Sequence, residues 1–503
     1  MSGAVTWIVW VVMTPLIGAL AAFVIGRRVG PIVAFVCAGG IGVSLVGLIR
    51  QVSLHGPVRY PVGGWGAPLG IELYADGLSV VMLLMAAIVG VGITLYSLGY
   101  FGNEHRESAA IQTESEHARE VFWPLWLFAW GALNALFLSS DVFNLYVTLE
   151  LLTLSGVALL GLARQRTASV AAFRYLLAAL VGSLFYLLGV ALIYSEYGTV
   201  DCMSLSRVVE ASPATSWAIA LMTLGLMLKT ALFPLHFWLP PAHGNAPAPV
   251  SSLLSALVVK ASFYFILRLW FSVFSEITTS AAGVLLGGLG AAAVIYGSVQ
   301  ALLQHRLKML VAYSTVAQVG YLFLAFALIG QPAIASQAWR GSVYYALSHA
   351  CAKAAMFFAA GAIMRSAGHD NLDDLDGIGQ QAPMSLFAFG LAGVSLMGLP
   401  PSGGFVGKWM LLKAAIQGGQ WWMVAVILSG GLLAAAYIFP VVSRAFSSEA
   451  APRDIHKVPR VMEYTSLALA LIAVALGLFA SQPFELLEIG SPFSTSAIKE
   501  MAP

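Results

Sequence analysis

Five ionisable residues other than histidine lie far from both ends of long apolar stretches: Glu150, Lys229, Lys260, Lys353 and Lys408. A charge in hydrocarbon costs several kcal/mol unless it is paired or wetted, so a chain keeps one there chiefly for function. One acid and four bases, each on a different segment, are the parts of a relay in which groups take up and release protons in turn. Glu150 has apolar neighbours on both sides (Leu149, Leu151, Leu152). Burial alone would favour its neutral acid, whereas a lysine beside it would keep it ionised. Its plainer role is an ion pair that fixes helix contacts. Lys229, deep in its segment and shortly before Pro234, is the natural partner. When such a pair opens, the lysine loses its counter-ion and can pass its proton on.

Lys260 is equally central, and neither it nor Lys229 is near enough to a segment end to snorkel out fully. His349 and Lys353 are four apart and share a helix face. A single membrane histidine is more often a satisfied core residue, but beside a lysine it becomes a relay candidate, since imidazole changes charge near neutral pH. Like charges so close together are seldom both present. Lys408 follows a second proline-containing stretch. Ser314, Gln318 and Tyr321 form a stripe suited to holding waters between these groups, although polar residues also join membrane helices. His236 and His243 flank Pro234, and His236 is the better candidate for a side exit. Asp141 and Arg174 lie near segment ends, where they mark the membrane interface.

The elements that position these groups must be membrane-spanning. Hydrophobic residues make up 59% of the 503-residue chain and charged residues 10%, too much apolar surface for a water-soluble fold to hide. A hydrocarbon core of roughly 30 Å takes about 20 apolar residues as helix. Such stretches recur near 4–25, 31–50, 78–99, 121–140, 142–162, 172–194, 216–239, 249–271, 281–304, 307–329, 340–364, 384–412, 420–445 and 463–482. The first has no basic leader and precedes Arg27-Arg28, so it reads as a span and not as a cleaved signal. Continuous apolar runs without strand-like alternation exclude a barrel. The expected fold is an all-α polytopic membrane protein with about 14 transmembrane helices.

Two of these segments are broken by proline: Leu228-Lys229-Thr230-Ala231-Leu232-Phe233-Pro234, and Gly398-Leu399-Pro400-Pro401-Ser402-Gly403-Gly404 ahead of Lys408. Proline removes a backbone donor and glycine permits a turn. Freed backbone groups at membrane depth are tolerated only against protein or a wet cavity, and paired breaks in two halves point to a transport path. They lie five segments apart, which predicts two inverted five-helix repeats, 121–271 and 281–445, between N-terminal helices in 1–120 and a last helix with tail in 446–503. The repeats match imperfectly, because lysine precedes one break and follows the other.

Thirteen lysines and arginines fall in loops after odd-numbered segments and seven on the opposite side. The positive-inside rule then puts both termini outside the cytoplasm, in what we expect to be a bacterial inner membrane. The polar loops Gly102–Glu120, acidic, and His369–Pro383, with Asp370, Asp373, Asp374 and Asp376, read as solvated loops or as docking points for a partner subunit. A net charge of +2 without a basic stripe gives no indication of nucleic acid. Cys37, Cys202 and Cys351 lack metal-ligand spacing, and no phosphate-binding or dinucleotide fingerprint is present. No cofactor or metal is therefore expected, and the chain by itself reads as a transporter subunit and not as an enzyme.

In this order the motifs resemble those of the antiporter-like membrane subunits shared by respiratory complex I and the multisubunit (Mrp-type) cation/proton antiporters. The matching stretches are Asp141 through Glu150, Lys229 through Pro240, Ala246 through Lys260, His349 through Lys353, and Pro400 through Lys408. The resemblance implies fourteen core helices with inverted repeats and a hydrated axis along the membrane midplane. It assigns Glu150 and Lys229 to a switching ion pair, Lys260 to the central relay, and His349, Lys353 and Lys408 to the second half-channel. The chain ends soon after its fourteenth segment, which disfavours members with a lateral helix. Some complex I members carry glutamate on the second broken helix, where this chain has Lys408; together with size, this fits the D-type antiporter subunit. The expected function is that of a proton-translocating subunit of a Na+ or K+/proton antiporter, working with other membrane subunits. The alternative is a pump module of an NADH-quinone oxidoreductase or membrane-bound hydrogenase, in which partners do the redox work. A scaffold with idle charges is the remaining reading.

Overall fold

A computed structural model describes residues 6–26, 29–102, 109–445 and 457–493. In lipid, every backbone donor and acceptor must be satisfied within the chain, so apolar stretches of this length fold as helices. The first are α1 (Trp7–Ile25), α2 (Gly30–His55), α3 (Gly77–Tyr100), α4 (Ala109–Leu138), α5 (Val142–Gly161) and α6 (Arg166–Tyr197). A short α7 (Cys202–Val208) precedes α8 (Pro213–Thr230), α9 (Leu239–Asn245), α10 (Ala248–Leu253) and α11 (Val259–Arg268). Then come α12 (Ser280–Leu302), α13 (Leu307–Phe323), α14 (Pro332–Ala367), α15 (Ile378–Gln381), α16 (Pro383–Met397) and α17 (Gly403–Gln417). The last are α18 (Trp421–Ala445), α19 (Arg460–Ala475) and α20 (Ser481–Glu488). A hairpin of β1 (Val58–Pro61) and β2 (Glu72–Ala75) pairs antiparallel between α2 and α3.

Among the described residues, eleven helical stretches are long and apolar enough to cross a membrane. The remaining expected spans correspond to shorter pieces: α8 with α9, α16 with α17, and α19. The centre is built from Ala248–Val273, buried except at Arg268 and Ser272, and from α14, buried throughout between Gly341 and Ile363, while α1, α2 and α18 are buried over only about a third of their apolar stretches and form the rim.

Both polar loops differ from the expected picture. Residues 103–108 of Gly102–Glu120 lie outside the described residues, but from Ala109 onward the backbone is already α4. His369–Pro383 is tied down and not simply solvated. Its Asn371 bridges the backbone of Arg306, and Leu372, Leu375 and Ile378 are buried. Asp370 pairs with Arg306 at 2.7 Å, and Asp373 pairs with Arg444 at 2.5 Å and His305 at 3.1 Å. At the opposite end of the bundle, a crevice of about 2000 Å³ is lined by Arg59, Arg207, Arg268, Arg340 and Lys413. These are five of the seven basic residues that the alternating loops put on one side.

Candidate functional site

The first cluster forms where α5, α6 and α8 meet. Asp141 caps α5 by accepting from the Asn144 amide at 2.6 Å, which sets the register that turns Glu150 inward. Lys229 stands in the last turn of α8, where backbone carbonyls favour a cation. Its Nζ donates to Glu150 Oε2 at 2.9 Å and to Thr153 Oγ1 at 3.4 Å. The Ser183 hydroxyl donates to the same carboxylate oxygen. Oε1 is buried with no protein partner, so the carboxylate keeps one face free to accept a proton. Close approach of α6 permits this arrangement: a Cβ on Gly182 would meet the Gly225 carbonyl oxygen at 2.8 Å and Lys229 Cγ at 3.2 Å.

The break after α8 supplies its own capping. Ala231 takes a left-handed backbone (φ 57°), the Leu232 amide returns to the Met227 carbonyl, and Trp238 Nε1 donates to the Leu228 carbonyl at 2.8 Å. Trp238 stacks on Tyr175 at 4.5 Å between ring centres. Pro234 lies in the connecting turn, and His236 beside it packs against Phe233 and Tyr296 on the flank of the bundle.

Among the described residues, the second cluster has no carboxylate. Residues 254–258 between α10 and α11 form a wide π turn, and Lys260 Nζ donates to the Ser255 carbonyl there at 2.5 Å. A π turn displaces carbonyls from the ordinary helical ladder, and such turns concentrate at functional sites. Lys353 Nζ donates to the Val311 carbonyl at 2.9 Å and to Ser314 Oγ. His349 stacks nearly parallel on Tyr345 at 5.8 Å, and neither ring nitrogen has a protein partner. Lys408 Nζ donates to the Leu396 carbonyl at 2.6 Å and sits 4.0 Å from the centre of the Tyr321 ring. Leu396 ends α16, so the ammonium occupies the negative end of that half-helix. Gln318 is held by the Tyr345 and Tyr437 hydroxyls. Ser314, Gln318 and Tyr321 therefore contact the relay groups and their neighbours directly.

Pro400 and Pro401 lie in the turn between α16 and α17, and Ser402 caps α17. Lys408 follows that break in sequence but folds back onto it: a Cβ on Gly398 would meet Lys408 Cδ at 2.8 Å. Lys229 thus belongs to the last turn of the helix before its break, while Lys408 reaches back across its break to the last turn of α16.

His349 lies within electrostatic reach of Lys260, Lys353 and Lys408, and Lys353 within reach of Lys260. These four form one group. Lys229 and Lys260 share no direct hydrogen bond; between them α5 packs against the π turn. Two buried groups escape a reading by sequence position. Lys308, assigned to a loop because it opens α13, is buried with Nζ on the Ala246 carbonyl. His243 is fully buried among Lys353, Lys308 and Lys260.

Glu150, its side chain 17% exposed, is not the most deeply buried acid. Asp76 is 1% exposed and takes a two-pronged contact from Arg268, both arms at 2.5 Å. Arg268 also bonds Ser79 and Tyr264. The partners are 192 residues apart, and nothing local signals the pairing. For Lys308, only its flanking Leu307, Met309 and Leu310 hint at burial.

Residues 139–434 match the family model described as the NADH:quinone oxidoreductase/Mrp antiporter transmembrane region, and residues 64–108 match the complex I chain 5 N-terminus. The chain is 34% identical over 499 residues to the N-type subunit of the NADH-quinone oxidoreductase of Desulforudis audaxviator, covering 94% of this chain and 95% of the relative. It is 30% identical over 417 residues to the D-type subunit of the Na+/H+ antiporter of Alkalihalophilus pseudofirmus, covering 81% and 80%. The fold matches a chain of the Mrp complex of Dietzia sp. with TM-score 0.87 at 24% identity, covering 98% of each. An integral membrane bundle that strings buried lysines along broken and widened helices, matched by these relatives over nearly its whole length, belongs to the NADH:quinone oxidoreductase/Mrp antiporter membrane-subunit family.

Proposed function

We infer that this chain is a proton-translocating membrane subunit of a multisubunit monovalent cation (Na+ or K+)/proton antiporter. The observation that carries the reading is the Glu150–Lys229 pair at one helix break, followed by lysines seated on backbone carbonyls as far as the second break. Protons enter at Glu150–Lys229, pass Lys260, and leave through His349, Lys353 and Lys408. Opening of the ion pair removes the counter-charge from Lys229, and burial then drives its proton onward. His236 serves a side exit toward the flank of the bundle.

In this reading each broken pair counts as one span. That gives fourteen, with inverted repeats at 121–271 and 281–445 flanked by 1–120 and 446–503. Both termini face away from the cytoplasm in a bacterial inner membrane, and further membrane subunits complete the antiporter. The experiment is ion flux in vesicles carrying the purified complex. E150A and K260A should each abolish proton-coupled transport while the subunits still co-purify, and near-normal flux in either would refute the assigned roles.

A second reading has specific support, because the relative covering 94% of this chain is a subunit of an NADH-quinone oxidoreductase. There the same relay would be driven by redox partners. Identification of the co-purifying subunits separates the two: small hydrophobic antiporter subunits favour the first reading, and Fe–S or flavin subunits the second.

A further inference from the structure

Helix α6 carries a feature that the relay does not use. Arg166, Val170 and Arg174 fall at i, i+4 and i+8, on one stripe. With Thr167, Pro241 and Asn245 they line an open cavity of about 330 Å³ between α6 and α9 that contains no acidic side chain. Among the described residues neither arginine has a hydrogen-bond or ion-pair partner, and both are exposed. The surface around them is apolar: Val170, Phe173 and Leu177 are 44%, 59% and 47% exposed.

Depth follows from the same helix. Residues 175–194 are a run of 20 without a charge, about the number needed to cross the hydrocarbon core. Arg174 therefore stands at its boundary, and Arg166, about 12 Å further along the axis, lies in the headgroup layer. A guanidinium at that boundary extends into the headgroup layer, and its planar fork matches phosphate oxygens. Deeper along α6, Leu177, Leu180, Val181 and Leu184 are 47%, 40%, 45% and 67% exposed and match acyl tails.

We propose that Arg166 and Arg174 form a binding site for the phosphate of an anionic phospholipid, seated between α6 and α9. Asn245 Nδ2 is held by the Pro241 carbonyl at 2.8 Å, which fixes the side chain that closes the cavity opposite the arginines. The site lies on the helix that supplies Ser183 to Glu150, so its occupant braces the outer wall of the first cluster.

The test uses the purified complex, delipidated in detergent and titrated with phosphatidylglycerol or phosphatidylcholine under native mass spectrometry. Wild type should bind phosphatidylglycerol in preference, and R166Q/R174Q should lower that affinity about 30-fold with phosphatidylcholine binding unchanged. R166K/R174K, which keeps both charges, should retain most of the binding and controls for misfolding. Equal binding of the two lipids by wild type, or unchanged phosphatidylglycerol affinity in the double glutamine variant, would overturn the site. So would loss of a neighbouring subunit from that variant with its lipid retained, since the arginines would then serve a protein carboxylate. Displacement of the lipid by inorganic phosphate alone would equally overturn it.

Discussion

The two clusters of buried lysines handle the same problem, an ammonium group among apolar helices, by different means. In the first, Lys229 meets a carboxylate, and Glu150 also takes the Ser183 hydroxyl. In the second, Lys260, Lys353 and Lys408 have no acid within hydrogen-bond reach among the described residues and rest on backbone carbonyls, a serine and an aromatic face. An ion pair can hold both partners charged and releases a proton only when it opens. Ammonium groups on carbonyls repel one another along the line and have no such lock. On the proposed reading, the first half would gate and the second would hand protons on.

The largest expected effect lies where the halves join. K260M should reduce proton flux in vesicles about 100-fold or more, the scale on which a placed proton-transfer group contributes, and a merely slowed rate would mean that the halves communicate by another route. Stability should then separate them. K229M leaves Glu150 buried without its counter-ion and should destabilise the detergent-solubilised protein by about 3 kcal/mol, most of which K229M/E150Q should recover. K408M strands no acid and should cost at most about 1 kcal/mol, although it too stops transport. Equal destabilisation by K229M and K408M in thermal unfolding would erase the distinction drawn here.

The breaks offer a finer comparison. Ala231 holds a left-handed backbone (φ 57°) that glycine adopts freely, so A231G should stabilise the first break by about 1 kcal/mol. Gly398 (φ +82°) needs its freedom, and a methyl group there would meet Lys408 Cδ. G398A should therefore destabilise by about 1–2 kcal/mol and slow transport through the second half. Opposite signs in paired unfolding measurements are the required result.

The smallest effect is at the surface. Hydrogen bonds from Arg444, then His305, hold the exposed Asp373 carboxyl below its ordinary value of 3.8. A depressed acid stabilises the fold fully above its unfolded value, and that contribution fades as pH falls through the folded one. Protection of the His369–Pro383 amides, taken relative to their intrinsic exchange rate at each pH, should therefore be constant from neutrality to about pH 4 and fall below it. D373N should show lower protection than wild type near neutrality, with the difference vanishing at the acid end.

Much of the site was legible in the chain because hydrocarbon makes exceptions conspicuous. Glu150, Lys229, Lys260, Lys353 and Lys408 stand out among apolar neighbours, and the prolines at 234, 400 and 401 announce where helices must stop. Lys308 and Arg268 were not legible, because near a segment end a basic residue looks the same whether it snorkels or turns inward. Lys308 turns to the Ala246 carbonyl and Arg268 to Asp76.

By itself, the order of residues determined that this chain lives in a bilayer as helices, where those helices break, and which charges must be handled inside. Apolar length and proline are local properties, and hydrocarbon enforces them one segment at a time. Only the packed bundle decided which partner each charge received: a carboxylate from α5 for Lys229, the carbonyl ending α16 for Lys408, and Asp76 for Arg268. Those partners are brought together across tens to hundreds of residues, at distances that only the mutual fit of helix faces can set.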